Sequence, residues 1–304
     1  IYRLNADGTS TTVFSSLALP GFPASMAVAR VAGQRHFALA CQSGLAVVDP
    51  SGAVTTLMAR SGPFVPSPQV AAAGAALYYT DALGNVIHHF DLADATPSDD
   101  PIGDPNGQLS LDPKALAGGV AFDRPEGLAI GAGAELYVAC PQRHTIYAIA
   151  PDATTGLPSA ASTVKRVMGT GAGAMVAPVG VSTPGPLFAM NQPFMLDVDD
   201  DGFLYAVTSY GVAKYDPLAQ SARWFALNIG GTYSISFSDH RSFLATSPGE
   251  VLFLKPGGDG VRLTDAGLVS EFEPTRRATL GATSFTITDT AADAVETYAF
   301  DDAA

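Results

Sequence analysis

Charge, sulfur and long apolar runs are all scarce in this chain. Only 15% of its 304 residues are charged, and 16 basic against 29 acidic residues leave a formal net charge of −13. Phosphate backbones are repelled by such a surface, so nucleic acid is excluded as a partner. No apolar run approaches the roughly 20 residues of a membrane helix, so no membrane insertion is expected. Two cysteines, Cys41 and Cys140, occur outside any CxxC or Cys/His spacing, which removes a zinc site. No Asn-x-Ser/Thr triplet, no Gly-x-Ser-x-Gly elbow and no phosphate loop occurs; Gly169-Thr-Gly-Ala-Gly173 has the wrong pattern. Long amphipathic helices are missing too. A chain that opens on Ile1, without signal-like regions, is expected to be a processed, soluble, secreted or periplasmic monomer.

What is present is a repeat, built with 31 Gly and 22 Pro. A short apolar run ending in a small or acidic residue recurs as Phe37 to Cys41, Leu77 to Asp81, Leu136 to Cys140, Leu204 to Thr208, Phe243 to Ser247 and Phe285 to Asp289. Each is followed by turn residues and a second β-type run, such as Val86 to Asp91 or Thr145 to Ala150. Upstream stand Pro23, Pro68, Pro125, Pro193 and Pro274, and between proline and run lies a further apolar segment such as Gly127 to Ile130. A fourth segment is legible at Val54 to Met58, Thr163 to Val167, Arg223 to Leu227 and Val261 to Thr264; in the second unit Asp94 to Asn106 obscures it. Four short antiparallel strands repeated six times predict an all-β, six-bladed β-propeller. Ile1 to Phe14 copies the strand-turn-strand of Leu45 to Leu57, so the N-terminal segment is expected to complete the C-terminal blade of a single domain spanning 1–304. Cys41 and Cys140 end equivalent strands of non-adjacent blades, too far apart to bridge.

Pro125-Glu-Gly-Leu-Ala-Ile130, Glu135-Leu-Tyr-Val-Ala139 and Gln192-Pro-Phe-Met-Leu-Asp-Val-Asp-Asp-Asp-Gly202-Phe-Leu-Tyr-Ala206 resemble NHL repeats. They also look like the SMP-30/gluconolactonase and strictosidine-synthase-like propellers. In the lactonase branch the resemblance implies Glu, Asn and Asp metal ligands at the starts of the innermost strands. Glu126 matches such a Glu, whereas the other post-proline residues are Ala24, Gln69, Phe194 and Thr275, so the carboxylate and amide partners are missing. No cofactor is expected, with room left for a divalent cation such as calcium.

In a propeller one mouth collects the innermost strand entrances and the turns between second and third strands. That gathers Met26, Gln69, Asp81, Glu126, Cys140, Arg143, His144, Phe194, Met195, Tyr210, Tyr233 and Arg276. The mixture suits a small organic molecule or a peptide. Glu126 is the candidate proton-transfer group; the bland alternative is a turn glutamate capping amides beside Pro125. Asp197-Val-Asp-Asp-Asp-Gly202 opens like a calcium loop, but position 12 is Thr208 and the segment reads as a hairpin turn. His88 and His89 alternate on a strand, one expected exposed and one packed. Segments 94–122 and 169–191 exceed what propeller turns need, and the second, with Met175, Val176, Val179, Leu187, Phe188 and Met190, is expected to fold as a flap over the channel. The functional expectation is cofactor-independent lyase, cyclase or condensation chemistry. The alternatives are a non-catalytic binding module and a metal-dependent lactonase.

Overall fold

A computed structural model describes residues 19–60, 68–107, 115–174 and 181–225 with their side chains, and further strands between 2 and 12 and between 226 and 299 as backbone. The chain divides into two compact units, Ala18–Gly230 and the pair Ile1–Leu17 with Gly231–Ala304.

Ala18–Gly230 holds four antiparallel sheets, each a meander. The first is Pro23–Val31, Gln34–Cys41, Gly44–Val48 and Val54–Ala59; the second is Val70–Ala73, Ala76–Asp81 and Val86–Asp91. The third runs Gly127–Ile130, Leu136–Cys140, Thr145–Ile149 and Thr163–Met168; the fourth runs Met195–Val198, Leu204–Val207, Gly211–Asp216 and Ser221–Leu227. The first strands of successive sheets lie side by side, so the sheets fan out from one inner edge.

Side-chain alternation then decides what fills the space between sheets. In the third sheet Leu128, Leu136, Val138, Cys140, Tyr147 and Ile149 face the second sheet, where they meet Tyr78, Ile87 and Phe122. Ala129, Tyr137, Ala139, Ile146 and Ala148 face the fourth, against Leu196, Tyr215 and Trp224. Strand-centre alanines leave room for aromatics of the neighbouring sheet, and Tyr78, Tyr79, Tyr137, Tyr147, Tyr205 and Trp224 are all buried. Each such ring removes on the order of 150–250 Å² from water, which makes these layers the main source of stability.

The long segments do work that the sequence did not disclose. Asp94 to Asn106 closes the second sheet through one bridge, Ile87 with Ile102, in place of a fourth strand. Ala115–Leu116 pairs with Thr163–Val164 as a fifth strand outside the third sheet, and Thr183–Pro184 pairs with Ser221–Ala222 outside the fourth. Both are followed by a single 3-10 turn, Ala117–Gly119 and Gly185–Leu187, and then by a buried phenylalanine, Phe122 and Phe188. The expected flap is therefore corrected for its described part. Phe188 and Met190 sit in the core between the third and fourth sheets, the Phe188 ring 5.1 Å from that of Trp224, because an outer strand leads them inward. Leu187 is exposed; Met175, Val176 and Val179 lie outside the described residues.

In the other unit, Tyr2–Leu4 pairs with Ser10–Thr12 as a hairpin. Eight strands from Thr232–Ser238 to Ala294–Ala299 form one continuous antiparallel sheet. Two separate four-stranded sheets were expected there. The strand Gly267–Val269, which the repeat did not announce, pairs with both Gly260–Thr264 and Arg276–Leu280 and joins the halves.

Candidate functional site

Antiparallel pairing puts the start of each first strand beside the end of the second. Val70 pairs with Tyr79, Gly127 with Ala139 and Met195 with Val207. Met26, Gln69, Asp81, Glu126, Cys140, Arg143, His144, Phe194, Met195 and Tyr210 stand in or beside these strand starts and ends, along one edge of Ala18–Gly230. Tyr233 and Arg276 stand in the first strands of the other unit, in Thr232–Ser238 and at the start of Arg276–Leu280; their side chains lie outside the described residues.

Glu126 is anchored through its backbone. Its N–H donates to the Ala139 carbonyl at 3.0 Å, and its own carbonyl accepts from Thr80 Oγ1 of the neighbouring sheet at 3.3 Å. The side chain is mostly buried, and its carboxylate accepts no hydrogen bond from a described residue. Arg124 Nη2 stands 3.9 Å from Oε1. Desolvation raises the Glu126 pKa above the ordinary carboxylate value, with Arg124 pulling more weakly the other way. It does not cap backbone amides of a described residue.

Around it, Gln69 donates its backbone N–H to Thr80 Oγ1 at 2.8 Å and points its side-chain amide at the sulfur of Met195. These two belong to the sheets on either side of the one that carries Glu126, so they bridge over its strand entrance. The rim is apolar: Phe22, Met26, Leu83 and Tyr210 are 78%, 50%, 43% and 44% exposed.

Other candidates are engaged elsewhere. The Asp81 carboxylate takes the Leu83 and Gly84 amides at 3.0 and 2.8 Å, pairs with Arg60 and approaches His88 Nε2 at 3.4 Å. Its pKa falls well below the usual carboxylate range: burial opposes this and is outweighed by the hydrogen bonds from His88, Gly84 and Arg60. His88 Nδ1 meets Asp99 at 2.7 Å. The expectation that one of the two histidines is exposed is thus corrected, since His88 is clasped between two carboxylates and His89 stacks on Tyr78 at 5.0 Å. Cys140 is fully buried, and burial first, then Asp123, pushes its thiol far above the usual range. Burial likewise lifts Cys41 to about 11, and both cysteines are free thiols, so neither supplies a nucleophile at neutral pH. Arg143 pairs with Asp123 at 2.8 Å. Asp199 accepts the Phe203 N–H at 2.8 Å, closing the Asp-rich hairpin turn.

His144 adopts the left-handed conformation, with φ 53°, at the end of a 3-10 turn, and its Nδ1 accepts from the Gln192 N–H at 3.1 Å. Asn191 donates to Ser209 Oγ at 2.8 Å, and a side chain at Gly173 would collide with both Asn191 and His144. This cluster on the rim was only half seen in the sequence. Its other members, Asn191 and Ser209, lie just before Pro193 and after the apolar run ending at Thr208, the two positions at which the repeat turns toward this edge.

No protein-family model matches the chain, and no curated protein matches its sequence. Solved structures do match in shape. Virginiamycin B lyase from Staphylococcus aureus aligns over 94% of this chain and 87% of its own with TM-score 0.51 and 10% identity. Its catalytically inactive variant, solved with Quinupristin, aligns equally well. Kuenenia stuttgartiensis hydrazine synthase covers 96% and 79% with TM-score 0.52 and 16% identity. A gluconolactonase from Xanthomonas campestris also matches, over 73% of this chain and 68% of its own, at TM-score 0.46 and 18% identity. The fold is that of a β-propeller. The edge that carries Glu126 is the end at which its inner strands begin. Among the described residues no group of three or more His, Cys, Asp and Glu is placed to hold a metal ion. No helix of the described residues is long and apolar enough to cross a membrane.

Proposed function

We propose that this propeller binds a small organic molecule at the mouth carrying Glu126 and acts on it by cofactor-independent lyase-type chemistry. The observation that carries the reading is a desolvated carboxyl of raised pKa, held by its backbone at an inner-strand entrance and left without a hydrogen bond from a described residue. A carboxylate so placed can take a proton from a carbon next to a carbonyl. The electron pair left on carbon forms a double bond as the C–O bond on the neighbouring carbon breaks, and the leaving oxygen departs as a carboxylate. In this reading Met26, Phe194, Met195 and Tyr210 supply apolar walls, with Gln69 behind Met195. Virginiamycin B lyase, a protein of this fold, is consistent with such chemistry on a propeller.

The test is a panel of lactones and cyclic esters followed by mass spectrometry. Ring-opening elimination leaves the mass unchanged, whereas hydrolysis adds one water. Glu126→Gln is expected to fold and bind but to lose about 10²- to 10⁴-fold in turnover. Unchanged turnover in this variant would remove Glu126 from the chemistry.

A second reading, a non-catalytic binding module, is favoured by the exposed rim of Phe22, Met26, Leu83 and Tyr210. It predicts that Glu126→Gln is silent while Tyr210→Ala weakens association by more than about 1 kcal/mol.

A further inference from the structure

At the opposite end of the third sheet lies a cavity of about 300 Å³, at the lower bound of pockets that hold small organic ligands. Its origin is in the strand sequence. Across the sheet, Tyr137 pairs with Ala148 and Ala148 with Lys165, so one row reads large, small, large. The next row outward holds Glu135, Ala150 and Thr163, again with alanine in the middle. Ala148 on the central strand and Ala150 just beyond its end make a dent, which Tyr215 of the fourth sheet also lines.

Of the charged groups around this dent Glu135 is engaged by its surroundings, while Lys165 is exposed. Tyr137 donates its hydroxyl to Glu135 Oε1 at 2.6 Å. The Glu135 carboxylate rests on the turn before it, where a methyl group on Gly131 would come within 2.4 Å of it and one on Gly133 within 2.7 Å. A side chain at either position is therefore incompatible with this carboxylate placement. The Tyr215 ring lies close over Gly185, where an added Cβ would stand 2.9 Å from it. Neither Glu135 nor Lys165 forms an ion pair with a described residue. One hydrogen-bonded anion and one exposed cation thus flank an apolar floor of Ala148 and Val167, and they form no ion pair with each other.

We propose that this cavity is a second ligand site, distinct from the mouth, for a free dipeptide-sized zwitterion. Its ammonium group meets Glu135, its carboxylate meets Lys165, and a compact aliphatic body lies over Ala148 beside Tyr215. Opposite charges set two strands apart, about 10 Å between backbones, discriminate against ligands that carry only one of them.

Calorimetric titration of the whole chain with glycyl-L-leucine, its N-acetyl derivative and its C-terminal amide tests the site. Saturable binding of glycyl-L-leucine is expected, at least tenfold tighter than either blocked form. Glu135→Gln should erase the advantage over the N-acetyl form, and Lys165→Met the advantage over the amide. Ala148→Leu should fill the dent and abolish binding; because Ala148 also packs in the core between the third and fourth sheets, the variant counts only where circular dichroism shows it folded. If Glu135→Gln fails to fold, Lys165→Met and Ala148→Leu decide alone. Absence of saturable binding, equal binding of the three peptides, or insensitivity to Lys165→Met and Ala148→Leu overturns the proposal. Turnover at the mouth is unaffected by these variants, so failure here and failure of the Glu126 reading are separate results.

Discussion

Glu126 shows how one buried carboxyl links function to stability. Its pKa is higher in the folded chain than in the unfolded one, so the neutral acid is the form the fold favours. The resulting contribution is complete below the unfolded value and disappears as pH climbs through the folded value. Glu126→Gln has no such titration. Its melting temperature relative to the native chain is therefore expected to rise between pH 4 and pH 8, measured by calorimetry at both; a constant difference would mean that Glu126 is solvated. The position was legible in the sequence because the proline-strand cassette fixes where an inner strand begins. Its chemistry was not, since the contacts around its strand entrance, Thr80 with the Glu126 carbonyl and Gln69 with Met195, join residues distant in sequence.

At the scale of the element, the second sheet lacks an ordinary fourth strand and is secured by ionic contacts instead. Asp99 of the following segment reaches His88, Asp100 N–H donates to the His89 carbonyl at 2.9 Å, and Arg60 arrives from the first sheet to meet Asp81. His88 faces Asp81 and Asp99, with Arg60 on the far side of Asp81 and the Tyr79 ring 6.0 Å away. The two carboxylates outweigh burial and lift its pKa from 6.5 to about 9. A raised folded value means stability that is complete below pH 6.5 and lost as pH passes 9, on the order of 3 kcal/mol. The melting temperature is expected to fall across that window, and His88→Gln to flatten the fall; an identical alkaline profile in the variant would show that the clasp is not coupled to folding. Strand limits such as Leu136–Cys140 and Val86–Asp91 were readable from alternation and turn residues. The clasp was not, because Asp99 and His88 become neighbours only when a segment without periodicity folds back.

For the whole molecule, sequence reading succeeded where the repeat is regular and stopped where it is not. The propeller fold followed from recurring strand pairs, while the eight-stranded sheet beyond Gly231 and the linking strand Gly267–Val269 depart from the repeat. Ile1–Leu17 groups with Gly231–Ala304 in one compact unit, 213 residues away in sequence across Ala18–Gly230. Removing residues 1–17 is therefore expected to lower the melting temperature through loss of that unit's N-terminal part. A truncated chain that melts like the full one would show the hairpin Tyr2–Leu4 with Ser10–Thr12 to be an appendage.

The fifth strands of the third and fourth sheets impose an order of events during synthesis. Ala115 and Thr183, Gly127 and Met195, Leu136 and Leu204 each stand 68 residues apart, so the same layout is used twice. In each case the segment that enters a sheet from outside must wait for the strand that will receive it. Leu116 leaves the ribosome 47 residues before its neighbour Thr163, a delay of several seconds at ordinary elongation rates. A nascent chain that pauses after Ile149 and before Thr163 has three strands that can pair and a loose outer one, and it becomes a sealed sheet only when the last strand is delivered.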